Sequence, residues 1–279
     1  MKIILSRKGF DSARGNQPNP IMPDGKTLLS LPIPDNYGNN SFESLFWGGM
    51  NYYEIIHSLK PSTHLKAEDC CHLDPDLRKE VKKRKPGWKP AFGQSDIALK
   101  HLQKNGVAKD DLFLFFGWFK QTKVVNGKLV YDKDAKDLHI IYAYMQIGEI
   151  INPKDNPYDW LRDHPHIGDK KHRKNDHNAI FLPSDKLTVI PNLDRKGCDV
   201  LSYHPDRVLT TKKEGMSKRF WDMPLFFKDV KITYHPHPWE ENDCFKSAGR
   251  GQEFVIDVDA SPESSSKILN WVEWIIKND

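Results

Sequence analysis

The chain has no P-loop, no G-x-G-x-x-G and no G-x-S-x-G sequence. These absences argue against the commonest triphosphate, dinucleotide and serine-hydrolase sites. Cysteine is scarce: Cys70, Cys71, Cys198 and Cys244 are the only four in 279 residues, and none form a C-x-x-C pair. Neither a zinc ribbon nor a disulfide framework is indicated, so reduced thiols are expected. No apolar run approaches the ~20 residues that cross a bilayer, and the first residues lack the pattern of a secretory leader. A cytoplasmic protein without membrane contact is expected. Excess charge is also small, at +4 with a pI near 8.7. That balance tolerates a polyanionic partner but falls short of the strongly basic signature of a DNA-coating protein.

Hydrophobic residues at 38% and charged residues at 29% describe a globular chain that folds. Positive charge gathers in Arg78 to Lys89, RKEVKKRKPGWK, and in residues 170–174, KKHRK. Such runs either form solvated faces or meet phosphates.

The opening residues Ile3, Ile4 and Leu5 read as a strand, followed by an irregular Asn/Pro/Gly-rich stretch over 16–38. A short helix is expected at Tyr52 to Leu59, a strand near His64 to Cys70, and a helix from about Leu77 capped by Asp76. Ser95 to Asn105 reads as a helix ended by Gly106. Asp111 to Lys120, DLFLFFGWFK, and His139 to Ile151, HIIYAYMQIGEII, read as buried strands joined by a polar, hairpin-like link over 121–137. Residues 152–177 read as a long loop or small insertion. Further strands are expected at Ala179 to Pro183, Val208 to Thr211, Val230 to His235 and Glu253 to Val258. At the C-terminus, Ser261 caps a helix with Pro262 and Glu263 in its first turn. Its apolar stripe is Ile268, Val272, Ile275 and Ile276, broadened by Trp271 and Trp274. The expected class is α+β, one domain over 1–279, with a mixed or mostly antiparallel, barrel-like sheet, flanking helices and long loops.

Two loops carry the candidate chemistry. In SRKGFDS, residues 6–12, Arg7 and Lys8 suit phosphate or carboxylate, Asp11 and Ser12 suit a ribose or base edge, and Gly9 permits close backbone approach. In HLDPD, residues 72–76, alternation in an extended segment places His72, Asp74 and Asp76 on one face. Imidazole and carboxylate together suit proton transfer, a metal or a bonded ribose, whereas an Asp-Pro turn with a helix cap explains the two acids alone. The pairs His164-Pro-His166 and His235-Pro-His237 look like ligand clusters, but standard zinc spacings are missing, so no metal is assigned. Trp118 and Trp88 are candidates for base stacking, with core packing as the alternative.

Several phrases together resemble the nucleotide-modification-associated domain family of type three. They are SRKGFDS, P-x-P-I-x-P-D-G at Pro18 to Gly25, SLPIP at 30–34, HLDPDLR at 72–78, P-x-FGQ ending at Gln94, DLFLFFGWF, HPH at 164–166 and GQEFV at 251–255. The resemblance spans nearly the whole chain and implies a place among systems that make, read or remove modified bases. A looser, local likeness of the two aromatic strands to EVE-type PUA-like barrels implies a pocket near Trp118, although Asp110 stands where those barrels have glycine.

Two functions follow. One is recognition of a nucleic acid, nucleotide or modified base, with Arg7, Lys8, Gly9, Ser12, Asp76, Gln94 and Trp118 as ligand-binding residues. The other is a hydrolase or transferase acting on such a ligand, with His72, Asp74 and Asp11 doing acid/base work. A scaffold whose polar phrases only build turns is the third reading. All site assignments assume that the 6–12 and 72–76 loops converge.

Overall fold

The structure is a computed structural model that describes residues 1–278 except 156–157, 170–171, 173, 236–238, 241–243 and 250. The main elements, in chain order, are β1 (Lys2–Arg7), β2 (Asn19–Ile21), β3 (Ile33–Pro34), β4 (Asn40–Ser41), α1 (Tyr52–Leu59), β5 (Cys70–His72), β6 (Phe92–Ser95) and α2 (Asp96–Lys104). Then come β7 (Leu112–Val125), β8 (Lys128–Tyr131), β9 (Leu138–Ile151), α3 (Pro165–Gly168), β10 (Asn178–Pro183), β11 (Cys198–Val200), β12 (Glu253–Asp257) and α4 (Pro262–Lys277).

The 14-residue strands β7 and β9 organise the molecule. Their runs LFLFF and HIIYAYMQI are buried on both faces, as expected for strands covered from two sides. They pair antiparallel, with a bulge between Ile141 and Ala143 that bends the sheet. Parallel pairing of β1 with β7 matches Ile3 to Leu112 and Arg7 to Phe116. The sheet path β12-β1-β7-β9-β10-β6 is otherwise antiparallel and curls into a half-barrel. Its ends approach, because Gln94 on β6 donates to Glu253 on β12 at 2.6 Å. The α+β class with a mostly antiparallel, barrel-like sheet is therefore observed.

Local signals explain the helices. Asn51 caps α1 through a reciprocal box in which its side chain accepts from Glu54 N at 2.8 Å and its own amide donates to Glu54 at 2.7 Å. The α4 stripe Ile268, Val272, Ile275 and Ile276 is buried, while Trp274 is 56% exposed and does not join it. No described helix is long and apolar enough to cross a membrane. All four cysteines are free.

Several expectations are corrected. No helix begins at Leu77: only a single turn forms at Lys79–Val81, because Asp76 pairs with Ala91 as an isolated bridge instead of capping. The strand placed near 64–70 lies at Cys70–His72. The hairpin-like link expected over 121–137 is present and is largely strand: β7 continues to Val125 and turns at Asn126-Gly127, both with positive φ, into β8. Residues 208–211 and 230–235 form isolated bridges only, such as Ile140 with Val208 and Ile232 with Ile256. Ser95 and Ser261 occupy cap positions without a side-chain capping bond. Within 152–177, short helical turns at Pro153–Asp155 and Asp159–Asp163 lead into α3.

Candidate functional site

A cavity of about 660 Å³ opens where six stretches of chain meet, among them residues 33–37 and Gly249, Gly251 and Gln252. Arg7, Lys8, Gly9 and Asp11 arrive from the end of β1, His72 and Asp74 from the end of β5, and Gln94 and Ser95 from β6. His166 and His172 come from α3 and the residues after it. The 6–12 and 72–76 loops therefore converge. Asn19 holds the first loop: its side-chain oxygen accepts from Phe10 and Leu31 amides, and its nitrogen donates to the carbonyls of Phe10 and Trp118. Gly9, at φ +80°, lies against this hub, and a Cβ there would sit 2.5 Å from Ser30 Oγ.

Asp74 is the centre of a histidine cluster. Its Oδ1 accepts from Gly93 N at 2.6 Å and faces His164 Nε2 at 3.3 Å, and its Oδ2 lies 3.9 Å from both His72 Nε2 and His166 Nε2. Burial works to raise the Asp74 pKa, but His164 and the neighbouring imidazoles outweigh it and hold the carboxyl well below the usual range. Asp35 faces His72 Nδ1 at 3.4 Å and is brought down to about 2, chiefly by that imidazole. His166 is 3% exposed, and burial pushes its pKa well below the ordinary value, against the opposing charge of Asp74. Its Nδ1 lies 2.6 Å from Asn178 Oδ1, and its ring stacks on His172 at 4.4 Å. His172 Nδ1 in turn lies 3.1 Å from Asp169 Oδ2. Donor atoms of His72, Asp74 and His166 fall within 4.8 Å of one another, as do those of His72, Asp169 and His172.

The cationic residues of the first loop are already engaged. Arg7 donates to the carbonyls of Ala248 and Gly249 and lies over Phe116 and Phe254. Burial lowers its pKa, against the opposing charge of Asp11. Lys8 pairs with Glu253 at 2.8 Å, the same oxygen that Gln94 contacts, and stands over the Phe92 ring. Asp11 lines the cavity while its Oδ1 accepts from the amides of Ala13 and Arg14 at 2.7 Å each.

Three expected site residues lie elsewhere. Asp76 is buried behind the cavity and clamped by Arg84, both carboxylate oxygens being 2.6 Å from guanidinium nitrogens. The shared face expected for residues 72, 74 and 76 fails because Asp74 N turns back to His72 O at 2.8 Å, ending the extended run. Ser12 and Trp118 line a separate cleft of about 190 Å³ with Lys218 and Arg219. Trp118 Nε1 donates there to Asp137, and Lys218 Nζ sits 3.8 Å over its ring. Trp88 packs against Arg84 at 4.4 Å.

Much of the basic run at 78–89 is likewise engaged internally: besides Arg84, Lys82 donates to Asn40, and Lys85 and Lys89 pair with Asp163 and Asp185. Lys170, Lys171 and Arg173 of the second run, and His237 of the second H-P-H, lie outside the described residues. His235 is buried and packs on Phe245 and Phe254, away from the histidine cluster.

Sequence reasoning missed the arrival of His164 and His166 at Asp74, the stacking of His172 on His166 with Asp169 as its partner, and the role of Asn178. H-P-H was the one visible signal. Its partners stand far away in sequence.

The family model of nucleotide modification associated domain 3 matches residues 2–257. No curated protein and no solved structure matches the chain.

Proposed function

The chain belongs to the nucleotide modification associated domain 3 family, and from that premise we propose that the histidine cavity is a catalytic centre acting on a nucleotide or modified base. The observation that carries this reading is the convergence of His72, Asp74, His166 and His172 with the 6–11 loop on one cavity of about 660 Å³. That volume lies within the range of small-molecule and cofactor sites, roughly 300–1,000 Å³.

Packing one ionised carboxylate among three imidazoles is a costly way to fill a core, and such arrangements gather at reactive sites. Pure recognition of a base calls instead for flat aromatic walls. Among the described lining residues only Tyr37 is aromatic besides the three histidines. This favours catalysis over recognition. Arg14, Asn36 and Gln252 also line the cavity and supply polar groups for sugar or phosphate. His72 and Asp74 hold the reacting end.

The test incubates the protein with modified and unmodified DNA, RNA and free nucleotides, with and without divalent metal, and follows products by mass spectrometry. A product that disappears in folded His72→Ala and Asp74→Asn variants is expected. Retention of a base without any product would overturn catalysis in favour of recognition.

A further inference from the structure

We infer that His72, Asp74 and His166 bind one divalent first-row transition metal ion, zinc or ferrous iron, with the remaining coordination positions open to the cavity. What such an ion does rests on the catalytic reading above; whether it binds does not.

Asn178 Nδ2 donates to the carbonyls of His166 at 2.8 Å and His172 at 3.1 Å, which orients its amide. Its oxygen therefore faces His166 Nδ1, so that nitrogen carries the proton and Nε2 presents a lone pair. His72 is arranged the same way, with Nδ1 toward Asp35 and Nε2 toward Asp74. His164 is arranged oppositely: its Nδ1 accepts from His166 N, which places its proton on Nε2, 3.3 Å from Asp74 Oδ1 without the alignment of a hydrogen bond. Gly93 N anchors Oδ1 and leaves Oδ2 facing the two Nε2 atoms.

Three lone-pair donors thus face one another: Asn178 fixes the outer nitrogen of His166, Gly93 N fixes the outer oxygen of Asp74, and Asp35 stands 3.4 Å from the outer nitrogen of His72, the kind of outer shell that orients metal ligands. The 3.9 Å separations from Asp74 Oδ2 to the two Nε2 atoms are too long for hydrogen bonds. Ligands 2.0–2.2 Å from a tetrahedral ion stand about 3.4 Å apart, so modest inward shifts close the site. Two imidazoles and one carboxylate form the donor set of catalytic zinc and of ferrous iron centres. The second candidate set, His72, Asp169 and His172, shares His72, so a single ion is expected.

Charge points the same way. The cations Arg7, Lys8 and Arg14 lining the cavity stand against Asp11, Asp35 and Asp74, and against Glu253, which pairs with Lys8. A divalent ion tips this balance toward an anionic substrate.

The test strips the full-length protein with chelator, reloads it with Zn²⁺ or, without oxygen, Fe²⁺, and measures bound metal by mass spectrometry and affinity by calorimetry. About one ion per chain is expected, with the tighter ion identifying the metal. Affinity should fall at least tenfold in His166→Ala and Asp74→Asn, and by about 10–100-fold in Asn178→Ala, which keeps all three ligands. His64→Ala, at an exposed histidine, should leave it unchanged. Circular dichroism confirms that each variant is folded, and Co²⁺ absorption of the wild type reports coordination independently of any variant. Wild-type protein that binds neither ion, or a folded His166→Ala with unchanged affinity, overturns the inference. Metal bound without turnover of any nucleotide would remove the proposed function and leave the site standing.

Discussion

Asp74 and Asp76 stand two residues apart and meet opposite surroundings. Both oxygens of Asp76 are closed off by the Arg84 fork, in a crevice with only about 10 Å³ of free space. Asp74 has one oxygen anchored and the other turned toward two imidazoles, beside a cavity of about 660 Å³. A buried charge whose bonds are complete serves the fold. One with bonds left open, facing space, is available for chemistry.

The comparison breaks most readily at Arg84. Replacing it by alanine strands Asp76 as a buried unpaired charge, and a loss of about 3–5 kcal/mol is expected in urea unfolding. A loss below about 1 kcal/mol would show that Asp76 is not structural. Gly93→Ala comes next, because its Cβ would lie 2.2 Å from His166 Cδ2. Displacing that ring is expected to lower stability by about 1–3 kcal/mol and to weaken metal binding at the same time. Normal metal affinity would place His166 outside the site.

His72→Ala sharpens the contrast from the other side. His72 lies on the cavity wall, so stability should change by about 1 kcal/mol or less while product formation stops. A large loss of stability with activity retained would reverse the two roles.

Acid sensitivity tests a buried imidazole that takes no part in the site. Burial brings the His235 pKa down to about 4, below its ordinary value near 6.5. Its contribution is therefore complete above pH 6.5 and is lost as pH falls through 4. Melting temperatures should decline across that window, and less so in His235→Gln. Equal slopes would assign the decline elsewhere. The smallest effect is expected at exposed Ser12, where alanine should change stability by no more than about 0.5 kcal/mol and leave the histidine cavity unaffected. Loss of product there would return Ser12 to the site.

Legibility followed the range of the interactions. The limits of α1 were readable because Asn51, Glu54 and the spacing of Ile55, Ile56 and Leu59 carry them locally. The aromatic strands β7 and β9 were equally plain, and so was the hairpin-like character of their link, although not its turn at Asn126-Gly127. The Asp76 cap was a reasonable local reading that failed to a partner eight residues on, Arg84, and to a bridge with Ala91. Trp118, read as a wall of the main pocket, instead meets Asp137 and Lys218 in another cleft.

By itself, the sequence determined the α+β class, the long strand pair, the terminal helix and two chemically loaded loops, because periodicity, caps and residue type act over a few positions. Only the tertiary structure decided that His72, Asp74, His166 and His172 share one cavity while Asp76 does not. That outcome depends on β6 pairing with β10, which brings Gly93 opposite Ile180 and sets α3 against Asp74. Contacts between segments so distant in sequence leave no periodic trace, and the direction of each imidazole is set by the neighbours that arrive with them.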